Sequence, residues 1–362
     1  MRLSGLRILA IQCVALAGTV MLCGETGSEL PGPITVVQVD PHHQRTLVVG
    51  TATAQLFRSR DDGDTWSPVL FPGALRSTLH AMLIDPSTAN VYFLAVTSEA
   101  PQYAGVFRTV DEGVTWQHLR GMEQKQVWAL AFWKADARVV AAGAQDGVFL
   151  TSDGGDTWKR LASPGAQWPQ PVVSLAFDPV DRNTLYAGTP HLAWKTADGG
   201  ATWSSIPRGM KDDSDVFTID VDPGHRKRIF AGACSGIYCS VNGGGTWSSL
   251  ERAIGAADRT YVIARAPDRH NLMFAGTSGG LIQSPDGGAT WRRLSGETVR
   301  SIAFDPVDPR RIFVASDQGF LRSEDGGVHF RGIGDRLVKR LTATCGLAAR
   351  ASPRSFPDRP RP

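Results

Sequence analysis

Thr196-Ala197-Asp198-Gly199-Gly200-Ala201-Thr202-Trp203 decides the fold, because its pattern, Ser/Thr-x-Asp-x-Gly-x-Thr-Trp, occurs six more times. The other copies occupy residues 59–66, 109–116, 151–158, 240–247, 284–291 and 323–330. Their third positions, with that of the quoted copy, are Asp61, Asp111, Asp153, Asp198, Asn242, Asp286 and Asp325, spaced 50, 42, 45, 44, 44 and 39 residues apart. Self-similarity at such a period is the signature of a repeat architecture.

A longer phrase surrounds each copy, and residues 172–206 show it well. Val172-Val173-Ser174-Leu175-Ala176-Phe177 ends in Asp178-Pro179, Leu185-Tyr186-Ala187 ends in Gly188-Thr189, and a third apolar stretch leads into the octapeptide. Short apolar runs punctuated by Asp-Pro, Gly-Thr and Asp-Gly-Gly predict four antiparallel strands per unit. A four-stranded unit cannot bury both faces alone, whereas radial stacking covers them and limits exposed edges. The sequence therefore predicts an all-β, seven-bladed β-propeller within residues 31–347, its strands running from about Ile34 to Ile333.

In this scheme the octapeptide is the hairpin between the third and fourth strands. Its Asp accepts backbone N–H groups of its own turn, and the Gly two residues later takes a positive φ. The competing calcium-loop reading lacks the Asp-x-Asp-x-Asp-Gly spacing, and two copies depart, one at Asn242 and one at His329-Phe330.

Composition narrows the function classes. The 362 residues are 42% hydrophobic and 20% charged with a net charge of +3, which fits a globular domain and argues against a nucleic-acid partner. No Cys/His cluster has metal-ligand spacing, and no P-loop, dinucleotide fingerprint or nucleophile elbow occurs, so no metal or cofactor is implied. Arg2 and Arg7 precede an apolar run over residues 8–23, so residues 1–30 are expected to be an export signal, or a membrane anchor if uncleaved. An exported chain would be periplasmic or secreted, where disulfides persist. Cys234 and Cys239 flank an expected turn and could bond across it, the alternative being two free thiols. Residues 337–347 could add to a blade, and the Pro/Arg-rich residues 348–362 are expected to form a disordered basic tail.

The octapeptides resemble Asp-box (BNR) repeats, which occur in sialidases, two-propeller xyloglucan-cleaving glycosidases, sortilin receptors and the photosystem II stability/assembly factors. The resemblance implies the fold and leaves the chemistry open. Sialidases carry six blades and an Arg-Ile-Pro signature, whereas the nearest string here is Ile206-Pro207-Arg208. The xyloglucanases enclose substrate between two propellers, and the sortilin receptors have ten blades. A single seven-bladed ring is most similar in layout to the assembly factors.

In such a ring the boxes occupy one face, and binding residues are expected on the other, around the channel mouth. Counting five residues back from the Asp-Pro that ends the first strand gives Thr35, His80, Trp128, Val173, Phe217, Tyr261 and Arg300. Of these, Arg300, His80, Trp128, Tyr261 and Phe217 are candidate contacts, although the aromatic members could simply pack between blades. The longest insertions, 97–104, 162–171, 207–215 and 251–260, map to the same face and add Trp168. Two readings follow. The first is a non-catalytic binding scaffold for a protein or glycan partner. The second is a glycoside hydrolase using Asp212 or Asp215 with Asp146, Glu297 or Asp317, which requires two carboxyls facing each other across a groove.

Overall fold

The computed structural model describes residues 33–73, 76–161, 169–211, 214–250 and 258–333. The expected export segment, the basic tail, the 337–347 stretch, Trp168 and Asp212 lie outside them. The described residues form 28 strands in seven four-stranded antiparallel sheets, the first strand starting at Ile34 and the last ending at Ile333. Each sheet takes four strands consecutive in sequence. The protein is a seven-bladed propeller built on Asp-box repeats.

The inner strands are Ile34–Val39, Ser77–Ile84, Val127–Trp133, Ser174–Phe177, Val216–Val221, Thr260–Arg265 and Val299–Phe304. Each packs against the next, and the seventh packs against the first, so the ring is closed. Among the described residues no strand is exchanged between the first and last blades to achieve this. Val37, Leu47 and Trp66 of blade one bury themselves against Phe313, Ala315 and Phe320 of blade seven, and the Val37 amide donates to Ser301 Oγ at 3.1 Å. Outer strands are only two or three residues long, with exposed polar side chains such as those of Lys159–Arg160 and Arg292–Arg293, which blunts the free edges. Space between blades is set partly at the second strand. A Cβ on Gly276 would lie 2.6 Å from Val299 Cγ1 of the next blade, so only glycine allows that inner strand to approach.

The seven turns share one hydrogen-bond pattern. In the second copy, Thr109 Oγ1 donates to Asp111 Oδ1 (2.7 Å) and accepts the Gly113 amide (2.8 Å). Asp111 also accepts the Thr115 amide at 2.8 Å and the Thr115 hydroxyl at 2.6 Å. These bonds pull the carboxyls of Asp111 and Asp198 down to about 2, the Thr115 and Thr202 hydroxyls contributing most. The glycines at the fifth box position take φ between 84 and 100°, as the turn requires. Where the sequence departs, the pattern adapts: Asn242 Nδ2 donates to Thr246 Oγ1 (2.9 Å), and His329 Nδ1 bonds Asp325 Oδ2 (2.7 Å).

Two further devices repeat around the ring. In five blades an aspartate follows the inner strand, buried and capping the next turn, as when Asp178 Oδ1 accepts the amides of Val180 and Asp181 at 2.9 and 3.0 Å. In five blades the residue just before the box reaches the next blade's box backbone. Arg58 bonds the carbonyl of Glu112, Arg108 that of Gly154 (2.6 Å), Lys195 that of Gly243 (3.1 Å) and Gln283 that of Gly327 (3.4 Å). Arg322 bonds the carbonyl of Asp62 at 3.1 Å, so the closing junction uses the same latch as the internal ones.

One expectation is corrected. Cys234 and Cys239 are free thiols. Ala233 pairs with Gly236, so the turn is Cys234-Ser235 itself, while Cys239 lies out along the third strand opposite Phe230. The two residues never face each other across the ladder.

Candidate functional site

The candidate site is built by a register irregularity. In blade five, Val216 pairs with Ala233 and Thr218 with Gly232, which leaves Phe217 as the extra residue of a β-bulge. Thr35, His80, Trp128, Tyr261 and Arg300 are skipped in the same way in their blades. In blade four Val173 precedes the strand, and its amide donates to Gly188 at 2.9 Å. A bulge re-aims a side chain without ending the strand. The residue just before it is buried in each case, from Ile34 to Val299, whereas the bulged residue stays partly accessible at the start of the inner strand. That end of the ring lies opposite the Asp boxes, at the channel mouth.

Several neighbouring bulge positions are linked. Thr35 Oγ1 donates to the carbonyl of Leu79 at 2.7 Å. The His80 and Trp128 rings lie 6.3 Å apart, and those of Phe217 and Tyr261 5.6 Å apart. The Arg300 guanidinium sits over the Tyr261 ring at 5.1 Å, a cation–π contact, while its Nε donates to Asp317 at 2.9 Å. The structure thus brings the predicted residues into two arcs: Thr35, His80 and Trp128 on one side, Phe217, Tyr261 and Arg300 on the other. Val173 separates them.

The two polar members differ. Arg300 is exposed and held in a fixed orientation by a carboxylate and a ring face. His80 is mostly buried and shares a 2.8 Å hydrogen bond with Thr97 Oγ1. Burial pushes its pKa down to about 4, so the imidazole is neutral at pH 7.

The carboxylates of this face are largely paired. Asp317 binds Arg300, Lys125 Nζ lies 3.1 Å from Asp146, and Arg293 Nη2 lies 2.6 Å from Asp258. Asp215 is half-buried and its carbonyl accepts the Cys234 amide at 3.0 Å. Glu297 is half-buried beside the start of the last inner strand. Lys125, Arg293 and Asp258 escape the sequence reading. Lys125 and Asp258 each lie two residues before an inner strand and Arg293 lies on the outer strand of blade six, so their meeting at this face is visible only once the strand pairing is known. Among the described residues no group of three or more His, Cys, Asp or Glu side chains is placed to hold a metal ion. No helix among them is long and apolar enough to cross a membrane.

Comparisons with known proteins agree with this architecture. The family model described as Sortilin-Vps10 (sortilin, neurotensin receptor 3) matches residues 104–211. No curated protein matches the sequence. Among solved structures, the GH74 xyloglucanase from Xanthomonas campestris superposes with a TM-score of 0.66 at 17% identity, covering 84% of this chain and 53% of that one. YCF48 bound to D1 peptide superposes at 0.60 and 16% identity, covering 81% and 93%. The extracellular domain of a two component system from B. thetaiotaomicron superposes at 0.64 and 13% identity, covering 81% and 38%. The chain spans about half the length of the GH74 enzymes it matches. Likeness at these identities is a likeness of fold.

Proposed function

We propose that this protein is an exported, non-catalytic binding propeller that holds a partner, protein or glycan, across the mouth opposite the Asp boxes. The observation that carries the reading is the bulge ring. One position per blade varies freely in chemistry, from Thr35 to Arg300, and in six blades the backbone is bent so that this side chain leaves the packed register. A scaffold that varies where it is aimed outward and repeats where it is packed is built to recognise something.

Of the two partner classes, a polypeptide has the closer support. YCF48, whose solved structure holds the D1 peptide, matches this chain over 93% of its own length, as one ring to one ring. The GH74 likeness favours the glycosidase reading, but Asp146 and Asp317 are engaged in ion pairs with Lys125 and Arg300. Export rests on the N-terminal run 8–23 and on the likeness to an extracellular domain.

The test is affinity capture from the native envelope with the wild-type chain, Arg300→Ala, Tyr261→Ala and Trp168→Ala. Loss of the captured partner with Arg300→Ala or Tyr261→Ala supports the mouth. Unchanged capture by all three variants removes the assignment. Turnover of an aryl glycoside that Asp212→Asn or Asp215→Asn abolishes would establish the enzyme instead. N-terminal sequencing of the mature chain tests export, which fails if residue 1 is retained on a cytoplasmic protein.

A further inference from the structure

Among the described residues, a side-chain hydrogen bond crosses six of the seven blade junctions. Arg58, Arg108, Lys195, Gln283 and Arg322 latch onto the next blade's box carbonyl. At the junction of blades five and six Cys239 occupies the latch position, and there Arg265 supplies the contact, its Nη2 donating to Asp220 at 2.5 Å. The junction of blades three and four departs at both repeated positions, and among the described residues the charge acting across it is the attraction of Arg182 for Asp136, with no side-chain hydrogen bond. Its latch residue is Leu150, and the buried aspartate that ends most inner strands is replaced by Trp133. Leu150, Trp133, Trp194 and Trp203 instead pack with Val172, Leu161 and Ala187 into an apolar wall. Two indoles in that wall, Trp133 and Trp203, have Nε1 buried without an acceptor. An indole has a single N–H, so each is left wholly unpaired.

We infer that the junction of blades three and four is the seam at which the closed ring opens first. Separation anywhere exposes apolar surface. At the latched junctions it also breaks charge-assisted or amide hydrogen bonds whose partners are partly desolvated. At this seam it breaks no latch and lets water reach two N–H groups that have no partner in the closed state. Apolar contacts are also non-directional, so blades three and four can slide where the latched pairs are pinned. The seam borders the mouth between Trp128 and Val173, where the series of linked bulge positions is interrupted, so opening there widens the mouth beside Trp128.

Adjacent alanines in the second strand of blade three make the test internally controlled. Ala141 packs into the seam, Ala142 into the junction of blades two and three, and both are fully buried. With the native cysteines replaced by serine, thiol labelling of Ala141→Cys is expected to be at least about tenfold faster than that of Ala142→Cys under native conditions. Ala187→Cys, also in the seam, should follow Ala141→Cys. Ala231→Cys and Ala315→Cys, in the junctions of blades four–five and seven–one, should follow Ala142→Cys. Leu150→Arg, which restores the latch, or Leu150→Gln if the arginine prevents folding, should slow labelling at Ala141→Cys, and so should Trp203→Phe. Equal rates at Ala141→Cys and Ala142→Cys would mean that only whole-domain unfolding exposes them and would overturn the inference. Faster labelling at Ala315→Cys would place the seam at the closing junction, with the same consequence.

Discussion

The two faces of this ring obey opposite rules. On the box face seven turns repeat the same hydroxyl–carboxylate–amide pattern, and even the exceptions, Asn242 and His329, keep it with altered donors. On the mouth face the backbone repeats, as a bulge, while the side chain it presents changes from blade to blade. The contrast teaches where within one repeat folding fixes the chemistry and where it leaves the chemistry free. The turn must satisfy buried backbone groups in every blade, so its chemistry is fixed. The bulge solves a geometric problem with the backbone alone and leaves its side chain free.

Substitutions should separate the faces by size of effect. The largest is expected at Gly200→Ala. This position has φ of +85°, and a Cβ would lie 2.5 Å from Leu161 Cβ of the preceding blade. Left-handed backbone costs ~1–2 kcal/mol for a non-glycine residue and overpacking ~1–3 kcal/mol, so denaturant unfolding should show a loss of about 3 kcal/mol. A loss below ~1 kcal/mol would mean the turn relaxes freely and is not a rigid element.

Next comes Thr196→Val. The Thr196 hydroxyl is buried, donates to Asp198 and accepts the Gly200 amide at 2.9 Å, so an isosteric replacement leaves a buried N–H unpaired. Such a vacancy costs ~1–3 kcal/mol. Thermal melts would show a clear drop, and an unchanged melting temperature would assign the turn's strength to the aspartate alone.

Acid should act on the same face. The folded-state pKa values of Asp111 and Asp198 are depressed to about 2 by hydrogen bonds to the ionised form. Their contribution is therefore complete above the unfolded carboxylate range near pH ~4 and is lost as pH falls through about 2. Melting temperature should decline over that window. Asn242 does not titrate, so Asn242→Asp should steepen the decline. A melt independent of pH between 4.5 and 2 would show that the box carboxylates contribute through shape and not charge.

How much of this was legible in the sequence follows from what each feature depends on. The fold was readable because Asp198, Gly200 and Trp203 act within a span of eight residues, and local chemistry repeated seven times outweighs any single ambiguity. The mouth positions were also readable, because counting from Asp178 and its counterparts keeps phase with the inner strand. What was hidden involves pairs one blade apart. That Arg322 reaches Asp62 across the closing junction, or that Leu150 interrupts a series of polar residues, depends on which blades touch. That Thr35 through Arg300 are bulged depends on ladder register, which no spacing within one strand encodes. The cysteine expectation failed for the same reason: the turn fell two residues earlier than the flanking thiols suggested, and register set the outcome.

The smallest effect on stability is expected where the largest effect on recognition is proposed. Arg300 is exposed, and its pair with Asp317 is a surface ion pair, a type of contact worth ~0.2–1 kcal/mol. Arg300→Ala should therefore unfold within ~1 kcal/mol of wild type while capture of the partner is lost. Arg300→Lys sharpens the point, because lysine keeps the charge and loses both the planar stacking on Tyr261 and the forked contact with Asp317. If lysine restores capture, charge alone is read at the mouth. If it does not, the orientation fixed by Tyr261 and Asp317 is the recognised feature. An Arg300→Ala protein that fails to fold would place this side chain among the repeated, load-sharing contacts of the ring and erase the distinction between the two faces.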